Sequence, residues 1–155
     1  MEDLILVKHA AGAPGLRMLG LGPNLLPHRG IDKLKSLLEE NSSWSKNRKK
    51  KDLKIMLSRS LVIVSAWTES KLIGFGRATS DEIYRTVLWD IVVDGEYRKN
   101  GVGKRIILTI LNNKYISKTE KIYLMTTNCE RFYSKMGFEL EKSQNLMILD
   151  KNSID

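Results

Sequence analysis

Residues 97–104 read Tyr97-Arg98-Lys99-Asn100-Gly101-Val102-Gly103-Lys104, after an apolar run ending at Val93 and before a second one starting at Ile106. The first run is rich in β-branched residues and reads as a strand; the second has helical spacing. A strand that opens through two closely spaced glycines into a helix can cradle phosphate. Glycine lets an anion approach the backbone, and the helix N-terminus offers unpaired N–H groups with a partial positive charge. Arg98, Lys99, Lys104 and Arg105 crowd the same place. The macrodipole disfavours cations in a first helical turn, so this cluster points to an anion carrying several charges.

The spacing sorts the phosphate ligands. A Walker A loop needs Gly-x-x-x-x-Gly-Lys-Ser/Thr, but Arg98 stands five before Gly103 and Arg105 follows Lys104. A dinucleotide fingerprint needs a small residue at Ile106 and an acid ending the next strand; Glu120 precedes its strand instead. What fits is Arg/Gln-x-x-Gly-x-Gly/Ala, with Arg98, Gly101 and Gly103 at the fixed places. That pattern resembles the coenzyme A pyrophosphate loop of the GNAT superfamily of N-acetyltransferases. Cys129-Glu130-Arg131-Phe132-Tyr133-Ser134-Lys135-Met136-Gly137-Phe138 is similar to that family's second signature, a short helix ending in Tyr-x-x-x-Gly-Phe. Ala78 to Arg85 followed by Val87 to Asp94 resembles the cyanobacterial and plastid branch, which includes serotonin N-acetyltransferase-like enzymes. The resemblance runs from about residue 28 to 150.

Composition bounds the classes. The chain of 155 residues suits a single domain over 1–155, and 42% hydrophobic with 28% charged residues suits a globular fold. A net charge of +8 predicts an anionic partner without specifying it. The run Lys46 to Lys51 lies on an expected helix and reads as a solvated face; no aromatic interleaving or zinc spacing supports nucleic acid. One cysteine, Cys129, precludes an intrachain disulfide. Leu4 to Val7 is too short for a signal-peptide core, and no run has the length of a membrane span. The expectation is a cytoplasmic protein, or a stromal one if plastid-encoded, with no membrane partner and no metal.

Residues 1–30 are expected to be irregular, because glycine and proline punctuate 11 to 30. Helices are expected over Asp32 to Glu40, with Asp32 as N-cap, over about Ser45 to Ser58, over Gly103 to Asn112 and over Cys129 to Met136. Strands are expected over Leu61 to Trp67, Leu72 to Ala78, Thr86 to Val93, Lys121 to Thr126, Phe138 to Glu141 and Asn145 to Leu149. These elements make a mixed α/β domain with helices on both sides of a sheet. Gly74 and Gly76 share one face, where something comes close, either a packed neighbour or the acceptor site. The resemblance adds a mostly antiparallel sheet of about six to seven strands, splayed where the phosphate loop begins.

The resemblance also implies acetyl-CoA as cofactor and direct transfer of its acetyl group to a primary amine. The pyrophosphate would lie on Arg98, Lys99, Asn100, Gly101, Val102, Gly103 and Lys104. Backbone amides of Ile91, Val92 and Val93 would serve the pantetheine arm and the oxyanion, and Asn128 would replace the Asn or Asp that relatives carry at Thr126. Tyr133, four residues before Gly137, would protonate the departing thiolate. Asp90 interrupts an apolar strand, where a bare carboxylate is costly, so it needs a task or a partner: amine base, or ion pair with Arg77 or Arg85. Glu82 is a second base candidate and Tyr84 a candidate wall of the acceptor pocket. Cys129 is expected to pack rather than to carry acetyl; His9 and His28 have no assigned role. Arylalkylamines such as serotonin suit the branch, with protein lysine or N-terminal amines and polyamines as alternatives. Asp81, Glu82 and Asp90 favour a cationic acceptor. Many relatives dimerise, which leaves a homodimer open. The non-enzyme rivals are a basic nucleic-acid module and an acyl-CoA sensor.

Overall fold

The computed structural model describes residues 3–9 and 29–152, and the chain divides into two compact units, Met1–Leu124 and Met125–Asp155. In the first unit one sheet runs in the order β1 (Leu4–His9), β2 (Val62–Thr68), β3 (Lys71–Ser80), β4 (Arg85–Val93), β5 (Lys121–Tyr123). The first four strands pair antiparallel and β5 joins β4 in parallel. Helices α1 (Gly30–Asn41), α2 (Lys50–Ser58) and α3 (Val102–Leu111) flank the sheet. The second unit contains one short helix, α4 (Glu130–Ser134), followed by chain without regular structure.

Alternation along β3 separates two cores. Phe75 joins Leu34, Leu37, Leu38, Leu53 and Leu57 of α1 and α2, together with Trp67 and Val92. Each such side chain contributes about 1.5–3 kcal/mol by leaving water. Gly74 and Gly76 face the other way, onto α3. A Cβ on Gly76 would lie 2.7 Å from Ile106 Cγ2 and 2.8 Å from Ile91 Cδ1. Close packing of α3, not an acceptor site, therefore demands these glycines. Gly76→Val should cost about 1–3 kcal/mol through overpacking, read as a lower Tm in a thermal melt. An unchanged Tm would show that α3 does not pack this tightly.

The expected mixed, mostly antiparallel sheet is present, with five strands among the described residues instead of six to seven. Three of the differences lie at the C-terminal end. The Lys121 strand ends at Tyr123, and neither 138–141 nor 145–149 forms a ladder. Leu140, Leu146, Met147, Ile148 and Leu149 are 69–90% exposed. A β-rich run becomes a strand only against a partner and a half-buried face. The opposite difference lies at the N-terminus, where the sequence predicts an irregular segment over residues 1–30. Leu4 to His9 pairs with β2 in register Leu4↔Thr68 to His9↔Ile63. His9 is buried there with its Nε2 2.8 Å from Ser65 Oγ. Residues 10–28, with His28 and most of the glycine- and proline-rich stretch, lie outside the described residues.

Helix starts also moved. The cap of α1 is Arg29 (φ +50°), without a side-chain cap bond, and Asp32 sits in the first turn paired with Arg29 and Lys50. The second helix begins at Lys50, so Lys46 and Asn47 close a turn and Arg48 and Lys49 lead non-helically into it. Arg48 and Lys50 are held in ion pairs with Asp90 and Asp32. The basic run is thus partly committed inside the molecule and is not a uniformly free cationic face.

Candidate active site

Strand β4 ends in a single 3₁₀ turn, Gly95–Tyr97, and the chain then enters the loop before α3. Several polar contacts fix this exit. Asp94 Oδ1 accepts from the Glu96 amide (3.0 Å) and Asp94 N–H donates to Ile73 O (2.9 Å). Asn41, at the end of α1, accepts the Gly95 amide on its Oδ1 (2.8 Å). Arg98 donates through Nε to Val93 O (3.3 Å) and through Nη2 to Asn41 O (3.2 Å). Arg98 thereby ties the loop to β4 and α1. Asn41 carries no sequence signal for this task, because its partners are 54 and 57 residues away.

Within the loop Lys99 (φ +66°) and Gly101 (φ +79°) are left-handed. Such alternation turns consecutive amides to one side and makes a concavity for anions. Gly101 is the N-cap of α3, and the first helical bond runs from Arg105 N–H to Gly101 O. The amides of Val102, Gly103 and Lys104 precede that bond. A Cβ built on Gly101 meets nothing within 4 Å, so there is open space at the cradle. Lys99, Lys104 and Arg105 are exposed, and among the described residues no salt bridge involves them. Amides, space and unpaired cations fit a pyrophosphate.

The strand before the loop is open on one edge. β5 pairs only with Arg85, Thr86 and Val87. Beyond Val87, β4 has β3 on one side and, among the described residues, no ladder on the other, which is the splay expected here. β4 also bulges: Phe75 pairs with Val92 and Arg77 with Trp89, so Gly76 faces both Asp90 and Ile91. Asp90 takes φ +51° at this point.

Asp90 is buried and doubly paired. Arg77 Nε lies 2.7 Å from its Oδ2 and Arg48 Nη1 lies 3.1 Å from its Oδ1. Arg77 also reaches Ser60 Oγ (3.4 Å) and stands over the Trp89 ring at 5.7 Å. Burial works to raise the carboxyl pKa, but the Arg48 and Arg77 guanidiniums outweigh it and hold the pKa below the usual value. A carboxylate so held is a weak proton acceptor. Of the two partners expected from sequence, Arg77 is present, while Arg85 pairs with Glu120 (3.4 Å). Arg48 was unforeseen.

The turn between β3 and β4 is held by Asp81 from within and by the Glu120 and Lys121 amides, which donate to Ile83 O (3.0 Å) and Tyr84 O (3.1 Å). Asp81 Oδ1 accepts the amides of Ile83 (2.9 Å), Tyr84 (2.7 Å) and Arg85 (2.9 Å). The Arg85 amide, then that of Ile83, hold its carboxyl below the usual value. Asp81 thus shapes its own turn, which removes it as an argument for a cationic acceptor. Glu82 (φ +67°) and Tyr84 are exposed, so Tyr84 is not a packed residue.

In the second unit, Tyr133 lies on α4 in edge-on contact with two rings, Phe132 at 5.1 Å and Phe138 at 5.9 Å. Burial, with a smaller contribution from Cys129, pushes its phenol up to about 12. It is protonated throughout the neutral range. Thr126 Oγ1 accepts the Cys129 amide (3.1 Å) at the start of α4, which gives the residue that departs from the family pattern a local task. Cys129 is exposed, contrary to the packing expected of it, and its thiol donates to Asn128 Oδ1 (3.3 Å). Among the described residues no group of three or more His, Cys, Asp or Glu side chains could hold a metal. No helix among them is long and apolar enough to cross a membrane.

Residues 59–140 match the family model of the acetyltransferase (GNAT) domain, and the chain belongs to that family. It is 33% identical to "Uncharacterized N-acetyltransferase ycf52" of Pyropia yezoensis, over 64% of this chain and 59% of the relative. It is 35% identical to "GCN5-related N-acetyltransferase 2, chloroplastic" of Arabidopsis thaliana, over 47% of this chain and 29% of the relative. The chain therefore spans less than two thirds of the length of these curated relatives. A GNAT-family acetyltransferase of Streptococcus pneumoniae shares the fold, with a TM-score of 0.69 at 18% identity over 96% of this chain and 98% of that one.

Proposed function

We propose that this chain transfers the acetyl group of acetyl-CoA directly to a primary amine of a small molecule. The observation that carries the reading is the exposed cradle of left-handed residues 99 and 101 and helix α3, continuous with a β4 whose far edge beyond Val87 has no strand partner among the described residues. A pyrophosphate meets amides and cations there, and an extended pantetheine arm can pair with free β4 amides as an added strand does.

The chemistry then divides among this chain's own groups. Backbone amides of Ile91 to Val93 donate to the carbonyl oxygen as it gains charge. Tyr133 supplies the proton to the departing sulfur. The amine, with an ordinary pKa of about 10.4, must lose a proton first. Asp90 is too firmly paired for that step, so the proton passes to water, with Glu82 as the side-chain candidate. Among acceptors, arylalkylamines of the serotonin type are the preferred class, ahead of polyamines and protein amines. A plastid stroma or a cytoplasm would suit this activity.

Calorimetry with acetyl-CoA and with ATP–magnesium tests the reading. Micromolar acetyl-CoA binding without ATP binding is expected; the reverse preference would overturn it. A panel of amines assayed by CoA release then finds the acceptor. Turnover of peptide substrates alone would replace the small-amine assignment, and tight, salt-resistant binding to one nucleic-acid sequence would replace the enzyme reading.

A further inference from the structure

Asp90 is a non-glycine residue in the left-handed region, inside a strand, with a carboxylate that is 4% exposed and pinned by two arginines. The proton chemistry proposed above does not use it. The neighbours Val87, Ile91, Val92 and Val93 are β-branched, and such residues resist positive φ. Aspartate tolerates it, so the extra residue of the β4 bulge has one favourable position in this strand. Tolerance alone does not hold a backbone in a sparsely populated state; surrounding contacts must over-determine it.

Those contacts come from two directions. Arg77 belongs to β3, the strand across the bulge, and is itself fixed by Ser60 and the Trp89 ring. Arg48 comes from the connection that joins α1 to α2 and is braced by the Met56 sulfur (3.7 Å). A carboxylate gripped on both oxygens cannot rotate without losing one charge-assisted bond. If the bulge slipped by one residue, every following side chain and amide would change face. Ile91, seated against the open position of Gly76, would have to leave it.

We infer that Arg48, Asp90 and Arg77 form a positioning clamp that locks the β4 bulge, and so sets the direction of the Ile91 to Val93 amides that receive the pantetheine arm and thioester. The clamp touches neither cofactor nor acceptor; it acts through the strand. Because Arg48 lies on the α1–α2 connection, the clamp also couples that connection to the cofactor strand. The inference rests on the acetyl-CoA reading of the loop.

The test compares two ligands on the full chain by calorimetry: acetyl-CoA, which uses both loop and strand, and adenosine 3′,5′-bisphosphate, which has no pantetheine arm. Arg48→Met and Asp90→Asn should each weaken acetyl-CoA about 10- to 100-fold. Both should leave adenosine 3′,5′-bisphosphate within about twofold, since the loop keeps its own anchors on Asn41 of α1, through the Gly95 amide and Arg98. Arg48→Lys, which restores one cation, should recover most of the loss. Arg48 is 30% exposed, so its variants keep the test available if Asp90→Asn does not fold. Equal weakening of both ligands, or a lowered Tm with unchanged acetyl-CoA affinity, would reduce the triad to a stabilising ion pair and overturn the inference. If the unmodified chain binds neither ligand, the cofactor reading itself fails, which is a separate result.

Discussion

Gly101→Asp should abolish acetyl-CoA binding and leave the chain folded. The residue sits at φ +79° as the cap of α3, and its missing Cβ points into open space. Aspartate tolerates left-handed backbone at about 1–2 kcal/mol, and a carboxylate at a helix N-terminus recovers part of that cost. The Tm should therefore move by only a few degrees. Affinity should respond quite differently. The new carboxylate occupies the place a phosphate needs and repels it by about 4 kcal/mol at 4 Å with an effective dielectric of 20. That corresponds to a loss of about a thousandfold in Kd. Calorimetry beside a thermal melt reads both quantities. A folded variant with retained affinity would mean the phosphates bind elsewhere.

The second large effect is expected at Tyr133. Tyr133→Phe keeps the ring contacts with Phe132 and Phe138 and removes only the hydroxyl. If that hydroxyl protonates the departing thiolate, kcat should fall about 100-fold with acetyl-CoA affinity unchanged, because only a transition-state bond is lost. The assay is CoA release with the best amine from the panel. A wild-type kcat in this variant would show that the thiolate leaves unassisted, which its ordinary pKa of about 8.5 allows.

The same hydroxyl gives a test independent of turnover. Its pKa is raised to about 12 in the folded chain from 10.0. Below pH 10 both folded and unfolded forms hold the proton, and the full contribution to stability is present. Between pH 10 and 12 the unfolded form loses it first, so stability falls as pH rises. Denaturant melts at pH 9 and 11 should show this loss in the parent chain and a smaller one in Tyr133→Phe. Equal loss in both would mean the phenol is not buried. For Asp90 the sign is opposite: its lowered pKa adds stability above the unfolded value and loses it as pH drops through the folded one.

Much of this molecule was legible as local pattern. The phosphate loop needs two glycines, a helix start and a strand in register, all within about twenty residues, and each follows from backbone physics that a short stretch states in full. The leucines of α1, the isoleucines of α3 and the alternation of β3 likewise report their faces through period alone. What the tertiary structure decided was pairing. Whether Leu4 to His9 is a strand, and whether Asn145 to Leu149 is not, depends on the presence of a partner edge, which no local run contains. Asp90 shows the same division most sharply. Its sequence context said that a carboxylate in an apolar strand needs a partner or a task. Only the fold, by bringing Arg48 from the α1–α2 connection 42 residues earlier and Arg77 from the neighbouring strand onto its two oxygens, supplied the partners. Ion pairs form between residues that the chain path makes neighbours, and that path is a global property of the packed sheet and helices.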